Sequence, residues 1–536
     1  MRSQMNNPGY LVGVVTAGEV EKLAEGVNLI GTQFLVYKDG PVVRATRNVC
    51  RHQGGRFRRF DGNRVQCTRH GWVLDCAVMR YTNPPEVLTQ DELRIVPRPD
   101  GSWALFADRP SEPWGIAEKQ ALAPGELTIR FMAHACMIVE AAGYRVATDP
   151  WLIGPAFLRG WWLQHAPPDD WVEILSQVDA IFISHGHSDH LNFPTLSRLA
   201  VTNSSIPIFV PKLEPKVWSR DFLSLPFPVQ ELEVDTWSTH GSLKMLYLRD
   251  SLLPDLDTAM LFEYKGHRVL NTVDCSHPNG NCLPSADVLL ADFASGASGF
   301  PSCFAEMFGD ETADMVGRKR IAFLHRTLDI AKAVGPSTFI PFAGYFTEAH
   351  PLDEEIRKLN DKNSPDDAAA AMRAQGVASW VPHPGGVFDV GTGVGTTGTC
   401  REPDWNFEES DNVIRQALDF DPLQRFEGVR HYFDWAGFSG YDLCLHVIEE
   451  QGSQTLREFF VDFRGLTYPE AAPSGLPLIR MRVRADSFRH IMMHGLSWDN
   501  IYIGFQARFF VSPNIYHMRF WNHFARIEER PKIRWA

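Results

Sequence analysis

The chain has little that would suit it to a polyanion, a bilayer or an oxidising compartment. Its 536 residues carry 52 Lys and Arg against 65 Asp and Glu, a net charge of −13. It lacks the broad basic field that a phosphate backbone demands, so nucleic-acid binding is not expected. That balance still leaves room for one small anion in a local basic pocket. No stretch has the length and purity of a bilayer span. The opening MRSQMNNPGYLVGVV has one Arg but no sustained apolar run, so no secretory leader is expected either. Nine cysteines, an odd number spread over so long a chain, do not make a disulfide framework. They suit a reducing cytoplasm, where thiolates stay available. Apolar residues at 44% and charged residues at 22% are those of a globular protein, and the length implies about two to four domains.

What is present falls into successive patterns. Residues 11 to 98 read as short strands and turns, with VVRATRNV entering Cys50 and DGN at 61–63 as a turn. Residues 101–125, rich in Pro, Gly and acidic side chains, read as a linker after a final strand. From 126 to 355, short apolar runs such as IFIS, IPIFVPK and ADVLLADF each end in a polar loop, the rhythm of a layered α/β protein. Residues 356–415 break that rhythm and read as an insertion or connector. Residues 416–536 form a further α/β unit, with DLCLHVIEE and REFFVDF as strands.

The first constellation is Cys50-x-His52 and Cys67-x-x-His70, with fourteen residues between the pairs. Two thiolates on one iron and two imidazoles on the other are what a Rieske-type [2Fe–2S] cluster requires. Gly54, Gly55 and Gly71 let the loops turn tightly around it. A zinc finger would instead separate a Cys pair from a His pair and would supply a helix. The imidazole ligands place the potential at roughly −150 to +300 mV, and such a cluster passes single electrons that a partner site must use.

The second constellation is His185-x-His187-x-Asp189-His190, in the loop after IFIS. So many imidazoles and a carboxylate in one loop are costly to gather without a metal. Asp189 and His190 are the candidate catalytic residues, since they can reach a second metal position or orient water. The string resembles the motif of the metallo-β-lactamase fold, and the resemblance implies two later ligands, for which Asp274 in NTVD and His350 in YFTEAH are the best matches. Zinc there would hydrolyse; the cluster in the same chain tilts the site toward mononuclear non-heme iron, with zinc or a second metal still open. A rival site is Asp486, His490 and His494, four residues apart on one helical face.

Longer strings carry a wider resemblance: CRHQGG, VQCTRHGWVLD, DPWLIGPAFLRGWWL, ISHGHSDHLNFPTL, YKGHRVLNTVDCSHPNG, DFASGASGFP and NIYHMRFWNHF. Over nearly its whole length the chain resembles the CMP-N-acetylneuraminate hydroxylase family. The resemblance implies an α+β multidomain protein: an N-terminal all-β Rieske domain (1–100), a central metallo-β-lactamase-like αββα sandwich and a smaller C-terminal α/β unit. It also implies O2-dependent hydroxylation of the N-acetyl methyl of CMP-N-acetylneuraminate. Electrons would come from NAD(P)H through an external donor, a cytochrome b5, ferredoxin or flavoprotein reductase. One departure stands out: where vertebrate members are expected to carry a His, this chain has Leu253, with His240 as a weak substitute. Another nucleotide sugar or amide is therefore an alternative substrate, and a redox-regulated metallohydrolase a further alternative. Arg159, Lys216 or Arg508 could meet the substrate's anions, and Trp161 or Trp162 could stack on its base, although each serves a fold equally well.

Overall fold

The computed structural model describes residues 10–52, 54–69, 71–84, 87–107, 112–213, 224–252 and 257–535. His70, Lys216 and Leu253 lie outside the described residues.

The N-terminal unit is built from three small antiparallel sheets. Strand Tyr10–Val15 pairs with Trp103–Ala107, which pairs with Arg94–Pro97. The first part of the expected linker is therefore a strand that closes this unit. Gly26–Ile30, Phe34–Asp39 and Val42–Arg47 form the second sheet, and Phe57–Asp61, Arg64–Cys67, Val73–Asp75 and Arg80–Tyr81 the third. The third sheet carries the loop that follows Cys67.

The centre is a sandwich of an eight-stranded and a seven-stranded sheet. Ala180–Phe182, Val288–Ala291 and Thr338–Pro341 are buried at every residue. Each lies between parallel neighbours, which explains why they read as continuous apolar runs without alternation. Helices Glu311–Val334 and Pro365–Ala374 pack on the seven-stranded sheet. The segment 356–415, expected as a connector, belongs largely to this sandwich. Its strand Ala378–Ser379 extends the seven-stranded sheet beside Thr338–Pro341. Its strand Val387–Asp389 pairs with Leu127–Ala133 in the other. Strands of only two and three residues, set among loops rich in Gly and Pro, hide this, because their pairing partners lie far away in sequence.

The C-terminal unit is a four-stranded mixed sheet, ordered Gln454–Asp462, Cys444–Gln451, Leu478–Arg484, Ala507–Ser512. Helices Phe426–Ala436, Ala485–His494 and Met518–Ala525 accompany it. Its core is continuous with that of the sandwich. The approach is close: a Cβ on Gly160 would lie 2.1 Å from the carbonyl oxygen of Gly504, so this contact tolerates only glycine.

Candidate redox and metal site

The two cluster loops are each closed by their own backbone. Cys50 N–H donates to Gly55 O at 2.7 Å, and Cys67 N–H to Trp72 O at 2.7 Å. Both cysteines are buried. A Cβ on Gly55 would sit 2.5 Å from Cys67 Sγ, so the glycine leaves space that a side chain would fill beside the sulfur. The Tyr81 hydroxyl reaches Cys50 Sγ at 3.4 Å, and Arg69 N–H reaches Cys67 Sγ at 3.4 Å. Such donors stabilise charge on ligating sulfurs. The His52 ring stacks on Trp72 at 4.3 Å between centroids. Burial, aided by Arg69, pushes His52 down to about 3, so it is neutral, the form that binds metal. These residues fit a [2Fe–2S] group.

Polar contacts dock this unit on the sandwich, and Gln33 donates to Asp329 Oδ1 at 3.3 Å. Arg47 donates to Gly280 O at 2.7 Å, and Arg69 to Ser276 Oγ at 2.9 Å. Arg56 forms a buried ion pair with Asp329 on helix Glu311–Val334.

The second site gathers at strand ends along one edge of the sandwich. Two groups of three potential ligands stand side by side: His185, His187 and Asp274, and His134, Asp189 and His190. His185 Nε2 and His187 Nδ1 face each other at 3.0 Å. His190 Nε2 lies 3.7 Å from Asp274 Oδ2 and so links the groups. His134 Nε2 and His190 Nε2 approach Asp189 Oδ2 at 3.3 and 3.2 Å, yet neither nitrogen makes a hydrogen bond although both are buried. Buried polar atoms normally find partners; here the lone pairs converge where a cation would sit. His190 Nδ1 is held by Asp149 at 3.2 Å, and Asp149 is itself fixed by the Ser184 N–H at 2.7 Å. That brace turns Nε2 toward the ligand group.

The electrostatics agree. Burial, with the neighbouring His190 and His187 imidazoles, holds His185 well below the usual histidine range. Burial opposes ionisation of Asp274, but His190 outweighs it and holds the carboxyl at about 2. Burial also opposes a charged His187, yet Asp499, with Asp189 and Asp257, lifts it to about 9. The carboxylates create a demand for positive charge that a metal ion would satisfy.

His134 and Asp149 escaped the sequence reading. Both sit just past strand ends with left-handed backbone, φ 43° and 37°, as does Val273 beside Asp274 at φ 48°. Left-handed backbone is rare for β-branched residues, so Val273 beside Asp274 marks a place where geometry is imposed.

The expected ligand His350 is not brought to this group. Its Nδ1 accepts from Leu352 N–H at 3.2 Å and its Nε2 lies 3.2 Å from Asp411. Arg159, considered for substrate anions, is buried in ion pairs with Asp411 and Asp486 at 2.6 and 2.7 Å. That pairing also takes Asp486 out of the rival triad, and His490 and His494 are in none of the converging groups. His240 tilts against Phe209 at 4.3 Å between centroids. Arg508 donates to the carbonyls of Phe505 and Ala507. Trp161 lies on Phe346, and Trp162 meets Phe407 edge-on.

The comparisons follow this division. Residues 12–90 match the Rieske [2Fe-2S] domain family and residues 128–248 the beta-lactamase superfamily domain. Cytidine monophosphate-N-acetylneuraminic acid hydroxylase of Mus musculus is 37% identical over 545 residues, covering 95% of this chain and 94% of its own. The Macaca mulatta protein of the same name is 38% identical, covering 94% and 92%, and that of Xenopus laevis 38%, covering 95% and 92%. The chain belongs to the cytidine monophosphate-N-acetylneuraminic acid hydroxylase family.

In this hydroxylase-family member the two sites open on one cavity of about 470 Å³. His52 and Trp72 line one part of it, and His187, Asp257 and Asp274 another. The C-terminal unit closes it. Tyr516 tilts against His52 at 4.7 Å, and Asp499 lies 3.7 Å from His187 Nε2. Among the described residues no helix is long and apolar enough to cross a membrane.

Proposed function

We propose that this chain is a reductive, O2-dependent monooxygenase that converts the N-acetyl methyl of CMP-N-acetylneuraminate to N-glycolyl. The observation that carries the reading is the single cavity shared by the cluster loops and the paired ligand groups. Overall, one O2, two electrons and two protons are consumed; one oxygen atom enters the methyl C–H and the other leaves as water. When bound, the [2Fe–2S] cluster supplies single electrons and a redox-active iron supplies O2 activation, which zinc cannot.

The protein's own residues hold, orient and exclude. Cys50, His52, Cys67 and His70 would hold the cluster, with Tyr81 and the Arg69 amide tuning its sulfurs. His185, His187 and Asp274, with His134, Asp189 and His190, would hold iron in a donor set with room for a second metal. Asp189 and His190 are at most 2% exposed, so they serve chemistry as ligands. Phe157, Trp161 and Phe300 give the cavity apolar wall, which keeps bulk water from the reacting C–H. The electrons come from NAD(P)H by way of a cytochrome b5, ferredoxin or flavoprotein reductase. A reducing cytoplasm would keep the cluster's thiolates available. Turnover under ¹⁸O2 with a reductase and NADH should place one labelled oxygen in the glycolyl group. Unlabelled product, or turnover without reductant, would refute the reading.

A further inference from the structure

Helix Glu311–Val334 presents Lys319, Phe323 and Arg326 to the cavity, at a spacing of four and three residues that defines one helical face. Lys319 and Arg326 are 6% and 7% exposed. Lys319 Nζ donates to Phe300 O at 2.8 Å. Arg326 Nη1 donates to Ser276 Oγ at 3.2 Å, while its Nε is buried without a hydrogen-bond partner. From the opposite wall, in the loop between Cys67 and His70, Arg69 Nη1 reaches the same Ser276 Oγ at 2.9 Å. Two guanidiniums thus meet on one neutral hydroxyl, with a buried ammonium beside them. Among the described residues neither Lys319 nor Arg326 has an ion-pair partner. The nearby Asp292 accepts from the Ala294 N–H at 3.0 Å. Burial and Asp274 push that carboxyl up to about 7. Burial and Arg69 together push Arg326 down to about 10 and Lys319 to about 7. Asp292, Asp274 and Asp250 offset part of the charge on Arg326, and like charges gathered out of water favour a further anion joining them.

We propose that Arg69 and Arg326, which meet on Ser276, together with Lys319 on the wall of the same cavity, are its anion subsite and bind an oxyanion of the nucleotide sugar, its phosphodiester or its sugar carboxylate. This rests on the CMP-sugar reading above. Planar guanidiniums suit either group, since both offer two oxygens to a pair of parallel N–H donors. Because the Arg69 amide lies 3.4 Å from Cys67 Sγ, occupancy also bears on the cluster loop.

The test is calorimetric binding to the oxidised, iron-replete holoenzyme, with CMP-N-acetylneuraminate, CMP, N-acetylneuraminate and inorganic phosphate as separate probes. Arg326→Gln and Lys319→Met should each weaken CMP-N-acetylneuraminate about 10- to 100-fold, with Arg326→Lys intermediate. Iron content and the cluster's EPR spectrum certify folding. A matching loss for CMP assigns the phosphate to the subsite; a matching loss for the free sugar acid assigns the carboxylate. Unchanged affinity in folded variants overturns the subsite and leaves the substrate reading standing. Phosphate binding that is lost in Arg326→Gln, in a protein that ignores CMP-sugar, keeps the subsite and overturns the substrate reading. A wild-type protein that binds none of the four probes overturns both.

Discussion

Replacing Arg56 by Met should loosen the cluster unit from the sandwich. Arg56 follows the Gly54–Gly55 turn, and its side chain crosses to Asp329; both side chains are 8% exposed. Arg56 also donates to Asn48 O at 2.8 Å, and Gln33 donates to the other Asp329 oxygen at 3.3 Å. Removing the guanidinium leaves a carboxylate buried with one amide for company. Breaking such a pair from one side costs about 3–5 kcal/mol, which shifts the docking equilibrium by roughly 100- to 4000-fold. The double variant Arg56→Met/Asp329→Leu removes the stranded charge and should regain most of the loss, because an apolar pair of similar volume is often neutral. Hydrogen exchange along residues 311–334, together with the rate at which the reduced cluster is reoxidised in the presence of O2 and substrate, reads the effect. Faster exchange and slower reoxidation in the single variant, restored in the double, is the expected pattern. A single variant that exchanges and reoxidises like wild type would refute the claim that this ion pair holds the two units together.

Other outcomes follow from the same geometry. His134→Gln should lower the metal held at the second site while the cluster's EPR spectrum stays intact, read by elemental analysis of one preparation. Tyr81→Phe removes a donor to Cys50 Sγ and should lower the cluster potential on the order of 40 mV, the equivalent of one neutral hydrogen bond, measured by redox titration. Lys319, held at about 7, is cationic below that pH, and Asp292, also near 7, loses its charge there. CMP-sugar affinity should therefore rise as pH falls from 8 to 6, with the Arg69 side chain facing both groups. Lys319→Met should flatten much of that slope in calorimetric titrations.

Much of the candidate site was legible because its potential ligands come in short strings. The Cys-x-His and Cys-x-x-His pairs and the His185–His190 loop declare themselves locally, and Asp274 follows a strand that reads as one. His134 was not legible: it lies some fifty residues before the loop it joins, in an apolar run where a lone histidine looks like core. Only the meeting of two strand ends in one sheet edge brings it to Asp189 and His190 as a potential ligand. His350 misled for the converse reason. It follows the strand Phe346–Thr347 as a ligand should, but its ring caps the turn at Pro351–Asp353 and faces Asp411. Asp411 comes from helix Phe407–Arg415, part of the stretch that the sequence presents as a connector. Arg159 was drawn into the same cluster, where three carboxylates and a histidine from distant segments fix the C-terminal unit. Local pattern identifies strands and ligand loops; which loops meet depends on packing that no local pattern records.

The central claim is that one chain brings the cluster and an O2-activating metal to a common cavity that takes CMP-N-acetylneuraminate. Its most direct test is anaerobic metal analysis with EPR, followed by a single turnover of the dithionite-reduced protein with O2 and that substrate. Two cluster irons plus at least one further iron, with hydroxylated product formed in proportion, is the predicted result. A reduced cluster beside zinc, with no oxygenated product, would contradict it.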